Sequence, residues 1–135
     1  NKEIVFKPEE SISFEGNTGP YLLYTYARAR SILRKAKYKK SKKSIKIPAL
    51  NDSEKSLISQ LSNFPEMAKE AYLSLSPNLI ANYSFQLAQI FNEFYHSNPV
   101  IGSENEPFLL SLVDSFSQVL KNSLKLLSIE TLEEM

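Results

Sequence analysis

Tyrosines and cations alternate along one face of the first predicted helix. Tyr21, Tyr24 and Arg28 are followed at helical spacing by Ser31 and Lys35. Because an α-helix turns about 100° per residue, these five side chains fall on one stripe. Aromatic rings can stack on unpaired bases, and cations can neutralise phosphates. This stripe is therefore a candidate surface for single-stranded nucleic acid.

A second stripe of the same helix lies about 150° away and is the natural core face. It comprises Leu22, Tyr26, Ala29 and Leu33. A third edge adds positive charge through Arg30, Arg34 and Lys37. The alternative interpretation is that Tyr21 and Tyr24 also pack inside the protein, because a helix that is apolar on most sides can be central. On the fourth predicted helix, Phe91 and Tyr95 lie beside the core seam, so they could be a second base platform or the widened edge of a core.

The net charge of +1 conceals a strong asymmetry along the chain. Residues 1–50 hold 12 lysines and arginines against 4 glutamates, a balance of +8, whereas residues 51–135 hold 4 against 11 acidic residues, a balance of −7. The segment 28–46 has ten basic residues and no acidic one. Such a concentration suggests a polyanionic partner such as nucleic acid. A solvated lysine loop is the alternative.

Several classes of site are excluded by composition and by missing motifs. The chain has no cysteine and one histidine, so neither a disulfide framework nor a zinc site is expected. No apolar run approaches the roughly 20 residues of a membrane span. A phosphate-binding lysine loop and a nucleophile elbow are both missing. The acidic pairs Glu66/Glu70 and Glu133/Glu134 are interpreted as solvated surface charge. We therefore expect no catalytic, cofactor-binding or metal-binding residue.

Helical periodicity predicts an all-α bundle of about five helices in a single domain, 1–135. Asn17 and Thr18 can cap the first helix, and Pro20 suits its first turn. A lead-in segment, 1–15, precedes this helix and is expected to pack on the domain, and a basic loop, 38–50, follows it. On the third predicted helix, the buried side is expected to comprise Met67, Ala68, Ala71 and Tyr72. The predicted helices run from about Asn17 to Lys37, Asp52 to Leu61, Pro65 to Ser74, Asn78 to His96 and Glu106 to Leu127. The start at Asn1 has neither a signal-peptide layout nor an initiator methionine, so we expect a piece of a longer, cytoplasmic protein.

The motifs resemble the C-terminal anticodon-binding domain of arginyl-tRNA synthetases, known as the DALR domain. The segment 14–28 reads FEGNTGPYLLYTYAR, and SILRK follows it. Further matches are FPE at 64–66, PNLIANY at 77–83, LAQIFNEFY at 87–95 and the terminal Glu134-Met135. Ser128 departs from the family pattern, which usually has glycine there.

The resemblance implies a helical bundle of the class I synthetase type that binds the anticodon stem and loop of the arginine tRNA. By motif position, the tRNA-binding residues would be Tyr21, Tyr24, Arg28, Arg34, Lys35, Phe91, Tyr95 and Met135. The parent enzyme would attach arginine to its tRNA with ATP and magnesium, using a catalytic domain absent from this chain. The fragment alone, expected to be a monomer without cofactor, would bind tRNA but not catalyse. The alternatives are a helical protein-interaction module or the anticodon domain of another class I synthetase, such as the cysteine enzyme.

Overall fold

Five helices form the regular structure of the described part of the chain. The computed structural model describes residues 8, 12–13, 16–40 and 45–133. Within those ranges there is no strand, and the predicted all-α class is confirmed. The helices are α1 (Gly19–Lys35), α2 (Asp52–Ser62), α3 (Phe64–Leu73), α4 (Pro77–Ser97) and α5 (Glu106–Leu126).

The first two helices begin where their capping residues predict. The Thr18 hydroxyl oxygen accepts a hydrogen bond of 3.3 Å from the Tyr21 N–H, and Pro20 occupies the first turn of α1, where its missing N–H costs no hydrogen bond. In α2, Asn51 and Glu54 form a reciprocal capping box. These local bonds fix the first residue of each helix, and therefore the direction in which every later side chain of that helix points.

Three helices end on a non-glycine residue in the left-handed region. Lys37, Leu75 and Ser128 have φ values of 49°, 50° and 60°. After α1, the Tyr38 N–H donates to the Leu33 carbonyl over 2.9 Å, and equivalent bonds close α3 and α5. This is the Schellman pattern, which satisfies the last carbonyls of a helix and redirects the chain. It also explains why α1 stops at Lys35, two residues before the predicted Lys37.

The helices α1 and α4 run in the same direction. Near the start of α1, the Tyr21 ring lies 5.5 Å from the Phe85 ring. Two turns later, the Arg28 guanidinium carbon lies 5.9 Å from the centre of the Tyr95 ring. A later residue of α1 thus contacts a later residue of α4, which shows that the two helices are parallel. A groove lies between them.

The helix α5 runs antiparallel to α4 and forms the centre of the core. Phe116 stacks on Phe91 with ring centres 3.8 Å apart, and the Ser84 hydroxyl donates to the Ser123 hydroxyl over 2.9 Å. The helices α2 and α3 cover other sides of α4. The predicted core stripe of α1 is buried, because α5 and α4 both pack on it: Leu22, Tyr26, Ala29 and Leu33 are at most 5% exposed.

Two expectations about packing differ from the structure. Tyr72 was expected on the buried side of α3 but is 77% exposed, because among the described helices α3 packs mainly on α4 and α2, and Tyr72 lies outside these contacts. Most of the lead-in, 1–15, lies outside the described residues. Of its apolar residues only Ile12 is described, and it is 69% exposed.

Over the described ranges, no helix is both long enough and apolar enough to span a membrane. The same residues contain no group of three histidine or carboxylate side chains placed to hold a metal ion.

Candidate nucleic-acid interface

Arg28 lies between two tyrosine rings in the groove between α1 and α4. The Arg28 guanidinium carbon lies 5.4 Å from the centre of the Tyr24 ring and 5.9 Å from that of Tyr95. Tyr24 is 44% exposed, and Tyr95 is half-buried. At these distances, a cation is attracted to the face of an aromatic ring. The two rings and the guanidinium group therefore form one partly exposed surface.

These side chains line a groove of about 570 Å³. We call it the α1–α4 groove. Its charged lining residues, Arg28, Arg34 and Lys35, are all positive. The complete lining is Tyr24, Ala27, Arg28, Ser31, Ile32, Arg34, Lys35, Tyr95 and Ile101. Five of the eight residues that the family resemblance implied are thus brought together: Tyr24, Arg28, Arg34, Lys35 and Tyr95.

Tyr21 lies beside this groove but does not line it. Its ring packs on Phe85, and its hydroxyl accepts a hydrogen bond of 2.9 Å from the Asn92 side-chain amide. The Asn92 oxygen in turn accepts a 3.3 Å hydrogen bond from Arg28. Asn92 therefore links Tyr21 to Arg28 across the two helices. Sequence reasoning missed this residue, because an asparagine on an exposed helix face carries no signal of its own.

Phe91 is buried and does not offer a ring face to solvent, so the structure does not place it in the groove with the other predicted residues. Its side chain is 0% exposed and is stacked on Phe116, with ring centres 3.8 Å apart and planes at 5°. On its other side, its ring lies 6.4 Å from that of Tyr95. The reason is the position of α5, which covers this flank of α4. Phe91 therefore packs against Tyr95 from the core side. This agrees with the alternative interpretation, in which Phe91 belongs to the edge of the core.

The segment after α5 lies along α1, and Glu133 of this segment accepts hydrogen bonds from three α1 side chains. One carboxylate oxygen of Glu133 accepts a 2.8 Å hydrogen bond from Arg30 Nε, and the other accepts one of 3.1 Å from the Tyr26 hydroxyl. The Glu133 carbonyl accepts a further 2.8 Å hydrogen bond from Arg34. Sequence reasoning interpreted Glu133 as solvated surface charge, and its side chain is 54% exposed. The sequence did not predict its partners, because they lie about 100 residues away and leave no local pattern. Met135 lies outside the described residues.

Charge and hydrogen bonding shift the pKa values of this cluster. The hydrogen bond from Arg30 is the main cause that lowers the pKa of the Glu133 carboxyl, and the same bond raises the pKa of Arg30. Burial raises the pKa of the Tyr26 hydroxyl. At neutral pH the glutamate is therefore charged and the tyrosine neutral, so the three groups form a stable donor–acceptor set beside the groove.

A second and larger groove has a different electrostatic character. It measures about 910 Å³ and lies between the segment after α1 and the start of α5. Lys39 and Lys46 line it on one side, but Glu104 and Glu106 line it on the other. Mixed charge is a poor match for phosphates. We therefore place the candidate site in the smaller α1–α4 groove, where aromatic faces and uniform positive charge coincide.

The comparisons with known proteins agree on one family. The profile of the DALR anticodon binding domain matches residues 22–135. The arginine–tRNA ligase of Parabacteroides distasonis is 39% identical over 99% of this chain and 24% of its own length. That of Pyrococcus abyssi is 41% identical over 100% of this chain and 22% of its own length.

A solved structure supports the same assignment. The Thermus thermophilus arginyl-tRNA synthetase matches with a TM-score of 0.88 and 36% identity, over 99% of this chain and 24% of that chain. The chain therefore spans about a quarter of the length of these relatives. The matches agree with the predicted anticodon-binding domain of the arginine enzyme and not with the cysteine-enzyme or protein-interaction alternatives. The chain belongs to the DALR anticodon binding domain family, in the form found in arginine–tRNA ligases.

Proposed function

We propose that the α1–α4 groove binds the anticodon loop of the arginine tRNA. Unpaired bases stack on Tyr24 and Tyr95, and Arg28 lies between the stacked bases. Arg34 and Lys35 contact the phosphates. Tyr21 acts mainly by holding Asn92 and, through it, Arg28. Met135 remains a proposed contact on the strength of the family resemblance alone.

The observation that carries this proposal is the position of Arg28 between two partly exposed rings. Surface tyrosines and arginines are common, but a cation flanked by two ring faces in a groove of one charge sign is suited to bases and phosphates together. Base stacking is tolerant of sequence, whereas hydrogen bonds to base edges provide selectivity. Arg28 supplies such a polar group inside the groove, and Asn92 accepts a hydrogen bond from it.

We further propose that the full-length protein attaches arginine to its tRNA. ATP with magnesium would be bound by a catalytic domain outside this chain, and the protein would act as a cytoplasmic monomer. The present chain would contribute recognition of tRNA without the chemical step. Arginine-dependent ATP–pyrophosphate exchange by this chain alone would contradict that division of roles.

The central test is Tyr24→Ala in a titration with a fluorescent arginine-tRNA anticodon stem–loop. Loss of a stacked base should weaken binding by about 1–3 kcal/mol. The matched control is Tyr72→Ala, which removes a more exposed helical tyrosine that does not line the groove. Equal affinity of the Tyr24→Ala variant and the parent would refute the proposed site. A second arm replaces the anticodon bases, and unchanged affinity there would refute anticodon recognition.

A further inference from the structure

The groove of mixed charge between the segment after α1 and the start of α5 has no part in the proposed RNA binding. Its volume is about 910 Å³, and most of its lining side chains are apolar, among them Tyr38, Phe108 and Leu110. A volume of this size is within the range of ligand-binding clefts. We call it the α1–α5 groove.

One side of the α1–α5 groove is a length of backbone without hydrogen-bond partners. Residues 45–50 belong to no helix, strand or turn, and their N–H and carbonyl groups bond to no described residue. Pro48 favours an extended conformation at Ile47, the residue before it. Extended backbone with unpaired polar groups is a template for pairing with another chain.

Both ends of this segment are held against the bundle. Ile45 and Leu50 are partly buried and pack on the hydrophobic core. Directly after them, the Asn51 side-chain amide donates to the Asn98 side-chain oxygen over 2.8 Å. Three residues between the two ends are exposed: Lys46, Ile47 and Ala49. The middle of the segment is therefore presented to solvent in a fixed place, which lowers the entropic cost of pairing with a partner.

The charges on the two sides of the α1–α5 groove are opposite. Lys39 and Lys46 lie on one side, and Glu104 and Glu106 lie on the other. None of these four side chains forms an ion pair with a described residue. The two carboxylates repel a phosphate. A peptide, in contrast, can direct an acidic residue towards the lysines and a basic residue towards the glutamates.

We propose that the α1–α5 groove binds an extended peptide segment of a partner protein, which pairs with residues 45–50 as an added β-strand. In this mode of recognition, backbone hydrogen bonds provide affinity and side-chain pockets provide specificity. Alternate N–H groups of an extended chain point to opposite edges, so Ile47 and Ala49 donate from one edge, whereas Pro48 has no N–H for the other. The pairing edge is therefore that of Ile47 and Ala49. An apolar side chain of the partner covers Tyr38 and Phe108.

The test selects short peptides from a random displayed library on the full-length protein and measures the affinity of the enriched peptides by fluorescence anisotropy. We expect these peptides to have an apolar centre with an acidic residue on one flank and a basic residue on the other. Hydrogen–deuterium exchange of residues 45–50 should slow when the peptide is bound, because their N–H groups become paired. Ala49→Pro should weaken binding about tenfold, since the ring removes a donor and obstructs the pairing edge.

The matched control is Ala49→Ser, which keeps the backbone N–H and should bind the peptide within about twofold of the parent. Circular dichroism checks that both variants retain their helices. Glu104→Lys leaves the backbone unchanged and tests the charge pattern separately. It should weaken binding by about two- to fivefold, because it replaces an attraction to the basic flank of the peptide by a repulsion.

A library that yields no binder to the groove would overturn the proposal. Equal peptide affinity of Ala49→Pro and the parent, or exchange at residues 45–50 that the peptide leaves unchanged, would also overturn it. Displacement of the peptide by the anticodon stem–loop would assign the groove to RNA instead, and a concentration-dependent dimer abolished by Ala49→Pro would assign it to a second copy. The stem–loop affinity of Ala49→Pro should equal that of the parent, so the result is independent of the proposed tRNA function.

Discussion

At the scale of single residues, burial separates aromatic side chains that the sequence presents as equivalent. Tyr24 and Tyr95 reach solvent beside Arg28, while Tyr26 is 2% exposed and Phe91 is 0% exposed. Tyr21 is intermediate, because its ring is covered by Phe85 and its hydroxyl is engaged by Asn92. Tyr24 and Tyr95 line the α1–α4 groove, so these two rings are the ones proposed to act by direct stacking. The buried rings act by holding that pair in place.

Phe91→Ala tests this division at the predicted tRNA-binding residue that is buried. Removing a fully buried ring that stacks on Phe116 should lower the free energy of unfolding by about 3–5 kcal/mol. Urea denaturation followed by circular dichroism measures this loss. Phe91→Leu is the control, because it retains most of the apolar volume and should cost much less. Retained stability with weakened stem–loop binding would instead return Phe91 to the binding surface.

At the scale of elements, the segment after α5 contacts α1 through Glu133. The left-handed Ser128 reverses the chain after α5, and Glu133 then bonds to Arg30, Tyr26 and Arg34. Because Arg34 also lines the α1–α4 groove, this segment and the groove share a side chain. The position of Glu133 is therefore coupled to the geometry of the candidate site.

Glu133→Gln should make the contribution of this segment to the free energy of unfolding independent of pH. The hydrogen bond from Arg30 lowers the pKa of Glu133 in the folded protein, so the folded state binds its proton less tightly than the unfolded state. Glu133 therefore stabilises the folded state fully above the ordinary glutamate pKa of about 4.3. This stabilisation is lost as the pH falls through the lower pKa of Glu133 in the folded protein. The carboxylate is 54% exposed, so solvent screening limits the effect to about 0.2–1 kcal/mol.

The measurement is the difference in unfolding free energy between the parent and Glu133→Gln at pH 7 and at pH 3. The difference should be largest at pH 7 and should shrink at the acid end. Glu130→Gln, an exposed glutamate of the same segment, is the control and should show little difference at either pH. A difference that grows on acidification would contradict the assigned direction of the pKa shift.

At the scale of the whole molecule, the charge asymmetry of the sequence becomes a spatial one. The excess of positive charge in residues 1–50 includes Arg28, Arg34 and Lys35 of the α1–α4 groove. Acidic residues from the second half, including Glu66 and Glu70, line a hollow on α3. Such a distribution orients a polyanion before contact and weakens its binding as salt is added.

Lys35→Ala should reduce the salt dependence of stem–loop binding without changing base preference. If Lys35 neutralises one phosphate, the slope of log K against log salt concentration should decrease by about 0.7–0.9. Phosphate contacts position the RNA but do not read its bases, so the ratio of affinities for cognate and altered loops should hold. Lys125→Ala, an exposed lysine in the last turn of α5, is the control. An unchanged slope would remove Lys35 from the interface.

The amino-acid sequence by itself determined the helical class, the helix limits to within about two residues, the core stripe of α1 and the basic character of its opposite face. These properties are local, because capping bonds and the 3.6-residue period act within one helix. Only the tertiary structure decided which flank of each helix is covered. Phe91 is buried because Phe116 stacks on it, and Tyr72 is exposed because none of the five described helices packs over that side of α3. Asn92 and Glu133 gained their roles in the same way, since their partners are close in space but distant in sequence.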